Sequence, residues 1–587
     1  MGLNLFCEEC GAVLDKGNCT NRNCSLSPKY VSLPSKLQKR PARAIEIPKK
    51  KETALRCVCF SDWSTQSLEL ILEFVQNLQP APDVILYAGD DTKRFVKFKD
   101  RTINLTELDS PDQVSSSIER NYFAELASHS KHGLFAVIGN DCHPSHKLFI
   151  HGDKVRDIGE GTVELGNFVI CGLEGAESIT STWQERTIEP NNNENREEGH
   201  DLGPTIFPRE RYYEKLEVPS EYRDKLKIIV SHSPPYECLD LAQRFGQAFI
   251  GSIALHQSIL EDPMIKLVAC GHVHQYGGKH RILNGALVVN CASHDDEGAI
   301  GNVAVVDLDR RTGDVLDISW NHLRQPLAQK IWGIGHVRAT VFEDAGYFYP
   351  EDLIAEPDHV IYYKIDEQIP LATITELKAR AESVVKKQII SLKQVKVSSD
   401  ELEKGMIIDI ETDLKRKEIW CIGTLFRGKC RHFFLDNPSD GTRRKALLID
   451  FQGFLKRTVK KHGKITLYCY STTDFDFQVI EDQLKRYGCR VKQFRALNKI
   501  DLGTLLVNST CLPIPYMKLK AVAAYFDYNR STSEDYDGLM ACHDYYRAFR
   551  ETSRVVREKK KDLKRGLLTY NREDLLMVMH IWKRLFP

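Results

Sequence analysis

The 587-residue sequence has no excess of charge of either sign, because 81 Lys and Arg residues balance 81 Asp and Glu residues. The chain as a whole therefore gives no electrostatic reason to bind nucleic acid, and any such binding must come from local patches. No apolar run approaches the roughly 18–20 residues that span a membrane. The first ten residues contain Glu8 and Glu9 and lack the regions that define a signal peptide. We therefore expect a cytoplasmic protein without a membrane segment.

A disulfide framework is not expected either. The sequence has 17 cysteines, an odd number, and most stand singly inside apolar runs, as Cys57 and Cys270 do. This pattern is typical of reduced, buried thiols in a cytosolic protein. The length predicts roughly three to five domains of about 100–200 residues each.

Four N-terminal cysteines differ from the rest because they form two close pairs. They are Cys7, Cys10, Cys19 and Cys24. Thiolates at this spacing predict a structural Zn²⁺ site in a small ribbon or knuckle over residues 1–28. Four reduced surface thiols are the alternative. Residues 29–54 are rich in proline and basic side chains, which indicates an extended linker that either tethers the domains or contacts phosphates.

Apolar strands alternate with helical segments from residue 55, which is typical of α/β layering. The predicted strands are 55–60, 83–87, 133–138, 168–171, 227–230 and 266–269. Side chains that suit divalent metals follow closely after these strands. They are Asp62, Asp90, Asn140, His232, His272 and His274. Functional groups in such sheets collect beyond the carboxyl ends of strands, so we expect them to form one metal site.

The order of these residues resembles the calcineurin-like metallophosphoesterase family, whose motifs run D-x-H, G-D, G-N-H, H and G-H-x-H. The resemblance covers about residues 55–320 and implies a four-layer αββα sandwich, which we assign to residues 55–322. It further implies two Mn²⁺ or Mg²⁺ ions bridged by Asp90. The remaining ligands implied are Asp62 and His274 on one metal, and Asn140, His232 and His272 on the other.

Two positions depart from that family pattern, and both concern histidines. Ser64 stands in place of the first-motif histidine, and Asp141 stands in place of the histidine after Asn140. His143 is a candidate to replace the second one, and it joins Asp90 and Asn140 in the expected catalytic set. A degenerate domain that serves as a scaffold is the alternative.

Residues 323–399 have a helical pattern and contain the run IWGIGHVRA. This run resembles the helix-hairpin-helix element, in which a G-I-G turn opens a helix. The resemblance implies that backbone N–H groups at Gly333 and Gly335 bind a phosphate oxygen, with a charged contact from Arg338. A small helical packing domain is the alternative.

Residues 400–587 return to an α/β pattern and carry a second set of acids. Asp409 and Glu411 are two apart on a predicted strand, so they share one face. Asp476 begins a predicted helix. Tyr570 and Asp574 are four apart on another helix, so they also share a face.

This second set resembles the DEDD superfamily of 3′–5′ exonucleases, which has a ribonuclease H-like fold and the motifs D-x-E, F-D and Y-x3-D. The resemblance covers about residues 403–587, and the last helix is predicted from about Arg572 to Arg584. It implies that the four acids hold two Mg²⁺ or Mn²⁺ ions and that Tyr570 orients the attacking water. Ser471 departs from the family pattern, in which an Asn often stands at this position and contacts substrate.

These features predict a multi-domain α/β protein that is a metal-dependent nuclease, with an endonuclease-like phosphoesterase site and a 3′–5′ exonuclease site. DNA is favoured over RNA as the substrate, in DNA repair or in defence against invading DNA. The basic run 554–565 either lines the exonuclease channel or is a solvated helix face. An exonuclease beside a degenerate phosphoesterase scaffold and a phosphoesterase of small nucleotides stay open as alternatives. Homo-oligomers and partner proteins stay open as well.

Overall fold

A computed structural model of the chain contains two compact units, Met1–Ala44 and Ile45–Pro587. The structure describes residues 14–15, 18–19, 53–63, 68–90, 95–98, 101–104, 121–140, 150–159, 161–177, 206–207, 218–242, 248–293, 301–323, 326–395, 397–415, 417–533, 536–550, 553 and 555–586. In the first unit, the described strands β1 (Leu14–Asp15) and β2 (Asn18–Cys19) pair antiparallel. The predicted zinc ligands Cys7, Cys10 and Cys24 lie outside the described residues, and only the backbone of Cys19 is described.

The first part of the second unit contains most of the strands. They are β3 Ala54–Phe60, β4 Val84–Tyr87, β5 Phe95–Phe98, β6 Arg101–Asn104, β7 Leu134–Ala136, β8 Val155–Asp157, β9 Thr162–Leu165, β10 Phe168–Leu173, β11 Ala176–Glu177, β12 Ile206–Phe207, β13 Leu226–Ser231, β14 Leu241–Ala242, β15 Ala248–Phe249, β16 Ile265–Cys270, β17 Lys279–Leu283, β18 Ala286–Asn290, β19 Asn302–Asp309 and β20 Val315–His322. The helices are α1 Leu68–Asn77, α2 Tyr122–Ser128 and α3 Ile253–Glu261. Each strand predicted from the apolar runs is present, with ends shifted by one or two residues.

Two six-stranded sheets form the centre of this part, in the orders β20-β19-β3-β4-β7-β8 and β17-β18-β16-β13-β10-β9. Successive residues of β3 point to opposite faces, so Cys57 joins the apolar layer between the sheets while Val58 faces α1 and α2. Helix α3 covers the outer face of the other sheet. The predicted four-layer αββα sandwich is thereby confirmed. Because β3, β4 and β7 run parallel to one another, as do β10, β13 and β16, their carboxyl ends meet at one edge of each sheet.

The following segment is helical, as predicted. It contains α4 Pro326–Lys330, α5 His336–Asp344, α6 Pro350–Ala355, α7 Asp358–Lys364 and α8 Leu371–Lys386. These helices have an apolar core of their own, built around Ile331, Phe342 and Leu377. The G-I-G sequence forms the turn between α4 and α5.

The C-terminal part is built on the five-stranded sheet β24-β23-β22-β25-β26. Its elements are β21 Ile390–Ser391, α9 Ser399–Lys404, β22 Met406–Thr412, β23 Ile419–Phe426, β24 Lys429–Phe434, α10 Gly441–His462, β25 Thr466–Cys469, α11 Phe475–Arg486, α12 Lys492–Arg495, β26 Asn498–Asp501, α13 Leu502–Ser509, β27 Thr510–Cys511, α14 Leu519–Tyr525, α15 Gly538–Phe549 and α16 Arg557–Leu585. Strand β22 is antiparallel to β23 and parallel to β25.

The last helix, α16, is longer than its prediction of about Arg572 to Arg584, because it begins at Arg557. The basic run before Tyr570 consists largely of Lys and Arg, which are good helix formers, so it continues the helix instead of forming a loop. Across the part of the chain that the structure describes, no helix is both long enough and apolar enough to span a membrane.

Candidate metal centres

The first cluster of polar side chains lies beyond the carboxyl ends of five parallel strands. Asp62, Asp90 and Asn140 follow β3, β4 and β7, while His232 and His272 follow β13 and β16. Ligand atoms of Asp62, Asp90 and His232 lie within 4.8 Å of one another. All six predicted ligands of this cluster fall in described residues, whereas Ser64, Asp141 and His143 do not.

The backbone turns that carry these side chains depend on glycine. Asp62, Asp90 and His272 have left-handed φ values of 57°, 55° and 65°, which only a few per cent of non-glycine residues adopt. A Cβ added to Gly139 would lie 1.8 Å from Asp90 Oδ1, and one added to Gly271 would lie 2.2 Å from Asp62 Oδ2. The glycines of the G-N and G-H motifs therefore leave space for the carboxylates.

Hydrogen bonds fix the orientation of the first cluster. Asp62 accepts bonds from Ser61 Oγ at 2.6 Å and from the backbone N of His272 at 3.2 Å, and its Oδ1 lies 2.9 Å from His274 Nε2. His232 Nε2 lies 3.1 Å from Asp90 Oδ2 and 2.9 Å from Asn140 Oδ1. The same atoms would converge on a bound cation.

The surroundings shift the pKa values of two histidines in this cluster in opposite directions. Burial opposes protonation of His232, but Asp90 outweighs it and raises the pKa of His232 to about 9. Burial and the neighbouring His232 lower the pKa of His272 to about 3. Because Nδ1 of His232 is 2.8 Å from the carbonyl oxygen of Ala88, Nε2 faces the acids, where a cation can replace its proton. The residues present fit a divalent metal.

The second cluster lies on β22 and α16. Ligand atoms of Asp409, Glu411 and Asp574 lie within 4.8 Å of one another. Asp476, at the start of α11, accepts a hydrogen bond of 3.1 Å from the backbone N of Ile410, between the two strand acids. The structure therefore brings together all four acids that the sequence predicted.

These four acids lie close together, with Glu411, Asp476 and Asp574 buried and Asp409 half-buried. Burial first, and the neighbouring carboxylates second, raise the pKa of Asp409 well above its usual value. Burial also raises the pKa values of Glu411 to about 8, Asp476 to about 7 and Asp574 to about 6. Buried Asp574 Oδ1 accepts no hydrogen bond from any described residue. An acceptor set of this kind fits divalent cations, which would relieve its repulsion.

Asn571 is a member of this site that the sequence reasoning missed. Its Nδ2 donates to Asp409 Oδ2 at 2.6 Å and to Glu411 Oε1 at 3.2 Å. Gly423, opposite Asp409 on β23, makes room for it, since an added Cβ would lie 1.8 Å from Asn571 Oδ1. The available signal was its spacing of three residues from Asp574 on one helix face.

Lys520 is the second contact that was not foreseen. Its Nζ donates to Tyr570 Oη at 2.6 Å and to the carbonyl oxygen of Tyr536 at 3.0 Å. Burial lowers the pKa of Lys520, although Asp574 opposes this effect. The lysine therefore fixes the Tyr570 hydroxyl beside the acids.

Asp501 organises the loop before Asp476. It accepts bonds from the backbone N of Ser471 at 3.0 Å, from Ser471 Oγ at 2.8 Å and from the backbone N of Asp474 at 2.8 Å. Burial opposes ionisation, but these hydrogen bonds lower the pKa of Asp501. Ser471 is thus used to hold the loop, because its hydroxyl also accepts from the backbone N of Phe475.

Family models match both clusters with their surrounding folds. Residues 55–276 match the calcineurin-like phosphoesterase model, and residues 406–586 match the RNase H superfamily model. The chain joins a calcineurin-like phosphoesterase domain to an RNase H superfamily domain. Both domain families are metal-dependent phosphoester hydrolases. Neither match extends to the predicted zinc site or to the G-I-G turn, so those assignments stay predictions.

Two solved structures that are similar to this chain each cover 46% of it. The crystal structure of TT1561 of Thermus thermophilus is 16% identical, with a TM-score of 0.31, over 46% of this chain and 100% of that one. A "Putative 5'-Nucleotidase from Staphylococcus aureus in complex with alpha-ketoglutarate" is 10% identical, with a TM-score of 0.24, over 46% of this chain and 54% of that one. No curated protein matches the chain significantly.

Helix α15 of the RNase H domain packs against the phosphoesterase domain. Met540 and Cys542 are buried in the apolar cluster on the outer face of the phosphoesterase sheet. Asp544 Oδ1 pairs with Arg281 Nη2 at 2.8 Å. Tyr536, which donates to Asp544 at 2.8 Å, has its ring 5.5 Å from that of Tyr570. One interface therefore reaches from the phosphoesterase sheet to the second metal centre.

Proposed function

We propose that this hydrolase is a nuclease with two active sites, in which the RNase H domain removes nucleotides from a 3′ end and the phosphoesterase domain cuts internal phosphodiesters. The observation that carries this proposal is the second cluster, where four acids converge, three of them buried, and Asp574 Oδ1 has no donor among the described residues. The name of the superfamily model itself points to nucleic acid as the substrate.

Asp409, Glu411, Asp476 and Asp574 would hold two Mg²⁺ or Mn²⁺ ions. Bound there, such ions supply an activated water and positive charge opposite the transferring phosphoryl group. Asn571 orients the two strand carboxylates through its donated bonds. Tyr570, held by Lys520, positions the attacking water.

In the phosphoesterase domain, Asp62 and His274 would hold one Mn²⁺ or Mg²⁺ ion, and Asn140, His232 and His272 a second, with Asp90 between them. This division agrees with the contacts of His274 to Asp62 and of His232 to Asp90 and Asn140. Asp90 and Asn140, together with His143, form the proposed catalytic set.

The other parts of the chain would hold the polynucleotide. Arg338 Nη1 donates to the carbonyl oxygen of Gly333 at 2.7 Å, which keeps its guanidinium at the G-I-G turn beside Gly335. The zinc ribbon over 1–28 and the linker over 29–54 would add contacts. The proposed substrate is DNA in preference to RNA, and the proposed role is repair or defence in the cytoplasm. The proposed domains cover residues 55–322, 323–399 and 400–587.

A second candidate is an exonuclease that uses the phosphoesterase domain as a scaffold. The burial of α15 side chains in the phosphoesterase domain favours it, because a structural role explains that packing without any chemistry. This candidate also keeps the exonuclease site intact.

The two candidates separate in an assay with Mn²⁺ on circular DNA and on 3′-labelled linear DNA. In the two-site nuclease, Asp90→Asn loses circle cutting and keeps 3′ digestion, whereas the exposed Asp153→Asn changes neither. If wild type and Asp90→Asn digest the labelled 3′ end equally well and neither cuts the circle, the scaffold candidate remains. Wild-type protein that cuts neither DNA nor RNA would refute both.

A further inference from the structure

A groove joins the G-I-G turn to the RNase H domain. Its volume is about 520 Å³, and its walls are Ala328, the turn 331–335, and the loops 470–472 and 515–519. This size falls within the roughly 300–1,000 Å³ of ligand sites. Trp332 lies at the junction, because it packs on the apolar core of the RNase H domain.

Both RNase H loops of the groove lead directly to the second metal centre. The first continues from Thr472 to Asp474 and Asp476, and the second continues from Lys518 to Lys520, which donates to Tyr570. Each of these loops therefore connects the groove to residues of the second metal centre within a few positions of the chain.

The first of these loops is held in a strained conformation at the groove wall. Thr472 has a φ of 67°, which is unusual for a β-branched side chain. Asp501 binds the residues on both sides of it, Ser471 and Asp474. Gly503 lies so close that an added Cβ would be 2.7 Å from the backbone N of Thr472. Strain maintained by its surroundings is typical of ligand-contacting segments.

The groove wall also offers aromatic surface and positive charge. Half-buried Tyr516 lines it, in a loop that is anchored by the bond of 3.0 Å from Tyr470 Oη to the carbonyl oxygen of Met517. Trp332 also lines the groove, and exposed Lys518 gives its border positive charge. Aromatic faces beside basic groups are the elements that bind single-stranded nucleic acid without reading its sequence.

We propose that this groove binds the single-stranded nucleotides that precede the 3′ end, with Tyr516 stacking on a base and Thr472 contacting the backbone in place of Ser471. The inference rests on the proposed exonuclease function and assigns the holding of its substrate to Tyr516, Thr472 and the G-I-G side of the groove. Ser471 is unsuited to that contact because its hydroxyl is already bonded to Asp501 and Phe475.

The test measures binding of full-length protein to a fluorescein-labelled single-stranded oligonucleotide in EDTA, so that no cleavage is required. Tyr516→Ala weakens binding about tenfold, as expected for the loss of one stacked base. Tyr363→Ala, an exposed tyrosine outside the groove, leaves the affinity unchanged. Oligo-dT and oligo-U arms show whether DNA or RNA is preferred, and a blunt duplex shows little dependence on Tyr516.

Thr472→Gly separates a contact of the Thr472 side chain with nucleic acid from a purely structural role of that side chain in the loop. Glycine adopts positive φ without strain, so the variant keeps or raises the melting temperature, while it weakens single-strand binding and raises KM more than it lowers kcat. Arg427→Gly, at a left-handed turn residue outside the groove, is the matched control. Unchanged affinity in both Tyr516→Ala and Thr472→Gly overturns the groove but leaves the exonuclease intact. Wild-type protein that binds through these residues without digesting any strand refutes the exonuclease and not the groove.

Discussion

The two metal centres hold their ligands in opposite ways. The phosphoesterase centre draws side chains from five strand ends, on turns that need glycine, and it balances Asp90 with a protonated His232. The RNase H centre places four acids on a strand and two helices, with Asn571 as a donor between two of them. The first centre therefore offsets part of its negative charge before metal binds, whereas the second stores the repulsion among its acids. We expect the second to depend more strongly on cations.

The largest expected effect is that of Asp574→Asn. Loss of this ligand should lower 3′ digestion by more than the roughly 10–100-fold that supporting residues carry, with circle cutting unchanged. In EDTA the same variant should melt at a higher temperature than wild type, because one of four repelling carboxylates is gone. Digestion of 3′-labelled DNA and thermal melts measure both, and Asp562→Asn on the same helix is the control. A lower melting temperature in EDTA would contradict the stored repulsion.

The contact between the two domains gives the next effect. Asp544→Ala leaves Arg281 without its partner at an interface where the two side chains are only 16% and 9% exposed. Removing one partner of a buried pair costs about 3–5 kcal/mol, so we expect that loss in the free energy of unfolding, measured with urea. Exposed Asp482→Asn, which also removes an ion pair, should change the stability little. Equal stability of Asp544→Ala and wild type would show that the domains do not depend on each other.

Asn571→Ala should lower 3′ digestion by about 10–100-fold, the usual effect of removing a residue that orients metal ligands. Gly423→Ala should have a similar effect, because its methyl group would displace Asn571. Mn²⁺ affinity should fall in both variants, as calorimetry would show. If Gly423→Ala loses activity and Asn571→Ala keeps it, the loss comes from distortion of the sheet and not from displacement of the Asn571 amide.

A smaller effect is expected in the pH dependence of stability, and it comes from the acids of the RNase H centre. In EDTA the raised pKa values of Glu411, Asp476 and Asp574 add stability that is complete below about pH 4, the usual range of carboxyl groups, and is lost as pH rises through 6–8. Mn²⁺ should reverse the trend, because it binds the deprotonated acids. Melting temperatures from pH 4 to 8 measure this, and Asp574→Asn should flatten the curve in EDTA. A wild-type curve that is flat across this range in EDTA would contradict it.

The strand ends and the order of ligands were predictable because apolar runs and the polar residues after them are local signals. Asp62 and Asp90, for example, follow the neighbouring parallel strands β3 and β4, whose carboxyl ends meet at one sheet edge as the α/β pattern implies. Asn571 was not predicted, since its role depends on the space left by Gly423, a contact between distant residues. Two other features depend on contacts between distant residues in the same way. They are the left-handed backbone of Asp62 and Asp90 and the packing of α15 on the phosphoesterase sheet. The first residues of α16 were not predicted to be helical, because a run of charged residues lacks the periodic apolar positions that indicate a helix.

The most direct test of the central claim, that buried repelling acids form a cation site independent of the phosphoesterase centre, is calorimetric titration of Mn²⁺ into Asp90→Asn protein. At pH 6.5 we predict that two ions bind per chain at the RNase H centre and that carboxyl groups with raised pKa values release protons when they bind. The double variant that also carries Asp574→Asn should bind neither ion. Binding that is unchanged by Asp574→Asn, or that releases no protons, would contradict the account.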